Sequence, residues 1–153
     1  RRNYPIAVMR SRRVAIPYAM LLVRKKTIMK NMNEEIRQCS IISVHETERG
    51  YEMGYVFGPA FPGFQGHFPQ NPILPAIIQL MTARESIIEQ MGRDLLITKL
   101  TRAKFQKIIT PDIPVTVVWT LREQEDVFIC KCILETEGNT ASSFIMTLKA
   151  KSD

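Results

Sequence analysis

Hydrophobic and polar positions along the chain predict strands, then one long helix, then more strands. Cys39–His45 (CSIISVH) and Tyr51–Phe57 (YEMGYVF) are rich in β-favouring residues, with the turn-forming Glu48-Arg49-Gly50 between them. From about Leu74 to Met91 the period changes. Ile77, Ile78, Leu80, Met81, Ile87, Ile88 and Met91 recur at spacings of three and four, Pro75 suits a first helical turn, and Gly92 stops the run. Strand-like runs then follow at Leu95–Phe105, Val115–Leu121, Val127–Leu134 and Ser142–Ala150, separated by Thr110–Pro114, Glu123–Asp126 and Glu137–Asn139. Upstream, residues 5–13 suggest a short helix and Ala19–Val23 a strand.

One helix cannot cover both faces of so large a sheet. The economical arrangement is an antiparallel sheet curled around the helix, its open side closed by a second copy of the chain. With 153 residues and 45% hydrophobic content, the chain suits a single domain spanning 1–153, with 1–13 extended or mobile. Trp119 and Phe128 fall within strands and read as core.

Residues 58–75 break both periodicities. Gly58, Pro59, Pro62, Gly63, Gly66, Pro69, Pro72 and Pro75 place eight glycines and prolines in 18 positions, which excludes a regular helix or an inner strand. A long, stiff loop results, and ordered loops of this length usually carry function.

Charge narrows the function classes. The net charge is +6, yet residues 1–33 hold nine basic groups and no acid, so the remainder is slightly acidic. Such a block is most simply a solvated face, or a docking surface for an acidic partner. Nucleic-acid recognition lacks interleaved aromatics and any recognition motif, and is not expected. No apolar stretch reaches the length of a membrane span. Val14–Val23 after an arginine-rich start mimics a signal peptide, but the central Pro17, the following Arg24-Lys25-Lys26 and the absence of a small-x-small site argue for part of the fold. Cys39, Cys130 and Cys132 lack CxxC spacing and read as free thiols of a cytoplasmic protein, the last two on one face of a strand. Two histidines without clustered ligands predict no metal site.

The candidate chemistry lies in Phe64-Gln-Gly-His-Phe-Pro-Gln-Asn-Pro-Ile-Leu-Pro-Ala-Ile-Ile-Gln-Leu80. This stretch resembles the F-x-G-H-F-P-x-x-P-x-x-P-G-V-x-x-x-(E/D) signature of the FabZ/FabA-type 3-hydroxyacyl-[acyl carrier protein] dehydratases. Phe64, Gly66, His67, Phe68, Pro69, Pro72 and Pro75 stand at matching positions. The likeness extends over roughly residues 15–150. Ile16–Val23 is similar to the family's P-F-L-L-V strand, and Lys99–Phe105 with Ile109–Asp112 to its K-x-x-x-F…V-x-P-G-D segment. Pro72–Leu80 is closer to relatives attached to polyene-type lipid pathways.

The resemblance implies an α+β hot-dog fold, an antiparallel sheet wrapped around one long central helix. It implies a lyase of fatty-acid or polyene-type lipid biosynthesis that dehydrates a 3-hydroxyacyl thioester. The substrate would be carried on the phosphopantetheine of acyl carrier protein or on coenzyme A, with no other cofactor. His67 would be the base, its unperturbed pKa lying near neutrality. The backbone N–H of Ala76 would polarise the thioester carbonyl, where the family has glycine. Gly66, Phe68 and Met81 would line the substrate site.

Met81 departs from the pattern. It occupies the family's Glu/Asp position, 14 residues after the histidine, and a thioether moves no proton. Glu85, one turn on along the same helix face, is the candidate displaced acid, against the plainer reading of a solvated helix residue. Family sites form between two protomers, so a homodimer or higher homo-oligomer is expected, with acyl carrier protein as a partner. The alternatives are a catalytically incomplete subunit that pairs with an active hot-dog partner supplying the carboxylate, and a hot-dog thioesterase. His45 reads as structural. Arg84, Arg102 and Lys104 are candidates to meet phosphopantetheine or an acidic carrier, although solvated faces explain them as simply.

Overall fold

The computed structural model describes residues 31–66 and 69–152. The expected helix at 5–13, the strand at Ala19–Val23, the family-like Ile16–Val23, and His67 and Phe68 lie outside the described residues.

Helix α1 covers 31–38 of the described chain and leads into strand β1 (Ser40–Thr47), which turns into β2 (Gly50–Val56). After the loop comes helix α2 (Ala76–Met91), then β3 (Leu95–Phe105), β4 (Pro114–Gln124), β5 (Val127–Thr136) and β6 (Asn139–Ala150). The strands form one six-stranded sheet in the order β1-β2-β4-β5-β6-β3, antiparallel at every pairing. The strands expected from Cys39 onward and the long helix are present, with α2 starting at Ala76 and Pro75 standing at its N-cap. Gly92 ends the helix in the left-handed conformation, φ 66°, its N–H returning to the Ile88 carbonyl at 2.8 Å.

Alternation fixes which sheet face is covered. On β5, Phe128, Cys130, Cys132 and Leu134 are buried, and on β6 Phe144, Met146 and Leu148, while Lys131 and Ile133 between them are exposed. The buried set joins Val115, Val117 and Trp119 of β4 and Tyr55 of β2 in one core with Ile78, Met81 and Ile87 of α2. Polar helix residues facing this core satisfy themselves locally. Thr82 donates to the Ile78 carbonyl at 2.7 Å and Ser86 to that of Thr82 at 2.9 Å, and Tyr55 and Ser86 share a bond of 2.9 Å.

Helix α1 has no counterpart in the sequence-based reading. Only Ile36, fully buried, and Met32, partly so, give it an apolar side. Two residues one turn apart are too few to declare a helical period.

Candidate active site at the amino end of helix α2

The proline-punctuated loop is held by aromatic packing. Phe57, Phe61 and Phe64 are buried, with centroids 4.8 Å apart for Phe57–Phe61 and 5.8 Å for Phe61–Phe64, the latter pair edge-on. A short 3-10 turn over Pro62–Phe64 lets these rings converge. Gly63 lies where any Cβ would overlap the Phe61 ring. Gly66, next to His67, takes φ +78°, a conformation costly for residues with a side chain. Backbone bonds then fasten the loop to its surroundings: Leu74 N–H to the Ile109 carbonyl at 2.8 Å, and Asp112 N–H to that of Phe57 at 2.9 Å.

This network sets the start of α2. Pro75 supplies no side-chain cap, and its carbonyl accepts from Ile78 and Gln79. The Ala76 N–H has no partner within the helix, as at any helix start, and belongs to the positive end of the helix dipole. Ala76 lines a cavity of about 240 Å³ together with Leu74, Pro75, Gln79, Phe105 and Ile108, among others. Ala76 is exposed there.

The other candidate residues divide. Met81 is only 6% exposed and belongs to the core. Glu85 is not a solvated helix residue: its side chain is fully buried and accepts from two guanidinium groups, Arg37 Nε on Oε2 at 2.8 Å and Arg84 Nη1 on Oε1 at 2.7 Å. Burial pushes the Glu85 carboxyl above the ordinary carboxylate range, and the charges of Arg37 and Arg84 pull it back. Arg84 is not a solvated residue either. It also donates to the Leu95 carbonyl at 2.6 Å and to Asp94 at 2.8 Å, pinning α2 to the start of β3.

Arg102 and Lys104 are exposed, and with Lys131 they rim an open hollow of about 530 Å³ floored in part by Ile133 and Ile145. His45 is exposed on β1, with Nδ1 3.1 Å from the Ser43 carbonyl. Cys39, Cys130 and Cys132 are free thiols. Among the described residues no helix is long and apolar enough to cross a membrane.

The sequence reading missed two polar residues. Arg37 lies on the unexpected α1. Gln79 is 4% exposed and lines the cavity one turn after Ala76. A glutamine among Ile77, Ile78, Leu80 and Met81, where helical periodicity calls for a buried position, was the available signal.

A six-stranded antiparallel sheet with one long helix against it, and a glycine- and proline-rich loop at that helix's amino end, defines a hot-dog protein. The solved structures share the architecture. The dehydratase heterocomplex ApeI:P from Xenorhabdus doucetiae superposes with a TM-score of 0.57 at 20% identity, covering 71% of this chain and 96% of that one. A hypothetical thioesterase with coenzyme A from Streptococcus pneumoniae superposes at 0.58 with 8% identity, covering 82% and 98%. Within that class the chain belongs to the ApeI-like dehydratase family, which it matches over residues 43–144. Curated relatives agree. The 3-hydroxyacyl-[acyl-carrier-protein] dehydratase FabZ of Bartonella bacilliformis is 33% identical over 53% of this chain, and that of Streptococcus agalactiae serotype V is 24% identical over 88% of it. The matches span 58% of the first of these proteins and 91% of the second.

Proposed function

We propose that this chain, one hot-dog domain, dehydrates a 3-hydroxyacyl thioester carried on acyl carrier protein or coenzyme A, with His67 as the base. The observation that carries the reading is the start of α2, which has no side-chain cap and where Ala76 lines a cavity beside the anchored glycine- and proline-rich loop. A thioester carbonyl placed there gains polarisation where negative charge develops as C2 loses its proton. His67 takes the C2 proton, the electron pair becomes the C2–C3 double bond, and the C3–O bond breaks. The hydroxyl leaves as water after taking a proton, either from the imidazolium that His67 has become or from a carboxylic acid supplied by a partner subunit. Gly66 sets the backbone entering His67, and Phe68 and Met81 form the apolar surroundings of the acyl chain. The pathway is fatty-acid or polyene-type lipid biosynthesis in the cytoplasm.

Two surfaces support partners. Strand β3 ends the sheet and exposes Leu96, Ile97, Leu100 and Phe105, an apolar edge suited to a second copy of this chain or to a related hot-dog subunit. Phe105 also lines the cavity, so a partner on this edge borders the reacting centre. The basic hollow of Arg102, Lys104 and Lys131 suits an acidic carrier.

A second reading has an observation of its own. Met81 packs in the core, and both oxygens of Glu85 are engaged by arginines. We read Glu85 as the clasp between α1 and α2 rather than as a displaced acid. The chain would then complete its site with a partner subunit that supplies the carboxylate.

The test is incubation of a 3-hydroxyacyl carrier substrate with the protein alone and with candidate hot-dog partners, followed by mass spectrometry. Loss of one water to give the enoyl thioester, abolished by His67→Asn, is expected. Release of free thiol instead would establish the thioesterase alternative. No product with any partner would end the dehydratase reading.

A further inference from the structure

We propose that the free edge of β3 rejects a second copy of this chain and takes a different hot-dog subunit, one whose own edge strand carries acids among apolar residues. This rests on the subunit contact proposed for that edge and is independent of the reaction.

Two properties of the strand pull in opposite directions. Leu96, Ile97, Leu100 and Phe105 are large, apolar and exposed, and Ile108 continues the row beyond the strand. An edge blunted only to stay single does not carry so many apolar side chains, and such a patch marks a protein contact. The charges interleaved with them all have one sign. Lys99, Arg102, Lys104 and Lys107 lie between Leu95 and Thr110, and no Asp or Glu does. Asp94, just before the strand, is taken up by Arg84 and Lys151. Lys107 has Glu137 at 3.4 Å. Lys99, Arg102 and Lys104 form no ion pair among the described residues.

The pairing with β6 shows where these cations stand. Lys99 pairs with Thr147 and Lys104 with Ser143, while the alternate residues Ser142, Phe144, Met146 and Leu148 are buried on the helix side. Lys99 and Lys104 therefore share the outer face of the sheet. Arg102 lies between them, at a register shift and with φ 51°.

Two identical edges related by a two-fold axis normal to the sheet run antiparallel and keep their outer faces on the same side. Lys99 and Lys104 of each copy then line one face of the seam with those of the other, and neither strand supplies an acid between them. Like charges across a strand pair destabilise it, and lysine on an edge is a common device against self-pairing. A partner strand with Asp or Glu at the facing positions reverses the sign and buries the same apolar row. Specificity arises in this way from attraction to one partner combined with repulsion of another.

The experiment uses the full chain and, as the acidic-edged probe, its own Lys99→Glu/Lys104→Glu variant, which keeps the apolar row and leaves the left-handed Arg102 in place. Fluorescently labelled unaltered chain is titrated with unlabelled unaltered chain or with the variant, and association is followed by sedimentation velocity at low and high salt. The variant is expected to bind the labelled chain about tenfold more tightly than the unaltered chain does, the worth of a few reversed cross-strand pairs. Added salt should weaken the mixed pair and strengthen self-association of the unaltered chain, because it screens attraction and repulsion alike. Self-association as tight as mixed association, or self-association that salt does not strengthen, overturns the proposal and leaves the dehydratase assay standing. Association with neither overturns the subunit contact at this edge as well. Should the variant not fold, the salt dependence of the unaltered chain decides alone.

Discussion

Arg37 of α1 donates to Glu85 of α2 through Nε at 2.8 Å, a bond between residues 48 positions apart. Glu85 is fully buried, Arg37 is half exposed, and Arg84 closes on the other carboxylate oxygen. The carboxylate thereby clasps the two helices. Removing one member of a buried pair leaves the others uncompensated, at about 3–5 kcal/mol where both are buried. Because Arg37 can rehydrate, Glu85→Ala is expected near the low end, about 3 kcal/mol in urea denaturation, and Arg37→Met at about 1 kcal/mol. Folded Glu85→Gln should keep its turnover within a few-fold. A fall of about 10²–10⁴ with unchanged stability would instead make Glu85 the general acid.

Met81→Glu places a carboxyl where the dehydratase signature that the loop resembles has Glu or Asp, inside a core where Met81 is 6% exposed. Burial raises the pKa of such a group and favours its neutral, proton-donating form near pH 7. Stability should fall by about 2–4 kcal/mol for the buried polar group. If an absent acid limits the isolated chain, turnover of a 3-hydroxyacyl carrier should rise by about tenfold or more. The paired measurement of melting temperature and enoyl product checks both, and a stable variant with no gain in rate would exonerate Met81.

Most of the fold was legible in the sequence because its elements bury residues with clear periods. Strand β5 alternates from Phe128 to Leu134, and α2 repeats Ile78, Met81 and Ile87 on one side. Proline and glycine between 58 and 75 marked the loop, and its motif led to the family that the chain belongs to. Contacts between distant segments were not legible. Charge at Glu85 suggested solvent or chemistry, and only the arrival of Arg37 and Arg84 explains how a carboxylate is tolerated inside. Gln79 escaped notice for a related reason: an isolated glutamine within an apolar helix is conspicuous only once its oxygen is seen without a donor.

Gly66 supports a prediction about the loop itself. At φ +78° it adopts a backbone that an L residue takes only under strain, although, its chain neighbours aside, no atom of the described residues lies within 4 Å of the position a Cβ would occupy. Gly66→Ala should therefore cost about 1–2 kcal/mol through backbone conformation and not through collision. If the residue orients the following His67, turnover should fall further than stability does. A variant with the expected loss of stability but full activity would show that the loop tolerates a shift at this bend.

The buried thiols fix the response to alkali. Burial pushes Cys130 up to about 12 from an ordinary 9.0, and pushes Cys132 well above that ordinary value. The thiols are thus held protonated in the folded chain and ionise more readily once it unfolds. Their contribution to stability is whole below pH 9 and is lost as pH rises toward 12, at about 1.4 kcal/mol for each unit of difference. Tyr55, pushed up to about 12 from 10.0 chiefly by burial, adds the same sign of effect above pH 10. Urea midpoints should therefore hold steady from neutrality to pH 9 and then decline, and Cys130→Val should make the decline shallower. At pH 8 a disulfide-exchange reagent should label no more than the half-buried Cys39 in the native protein, and all three thiols after denaturation. Rapid native labelling of Cys130 or Cys132 would mean that the sheet opens where β5 packs on the helix.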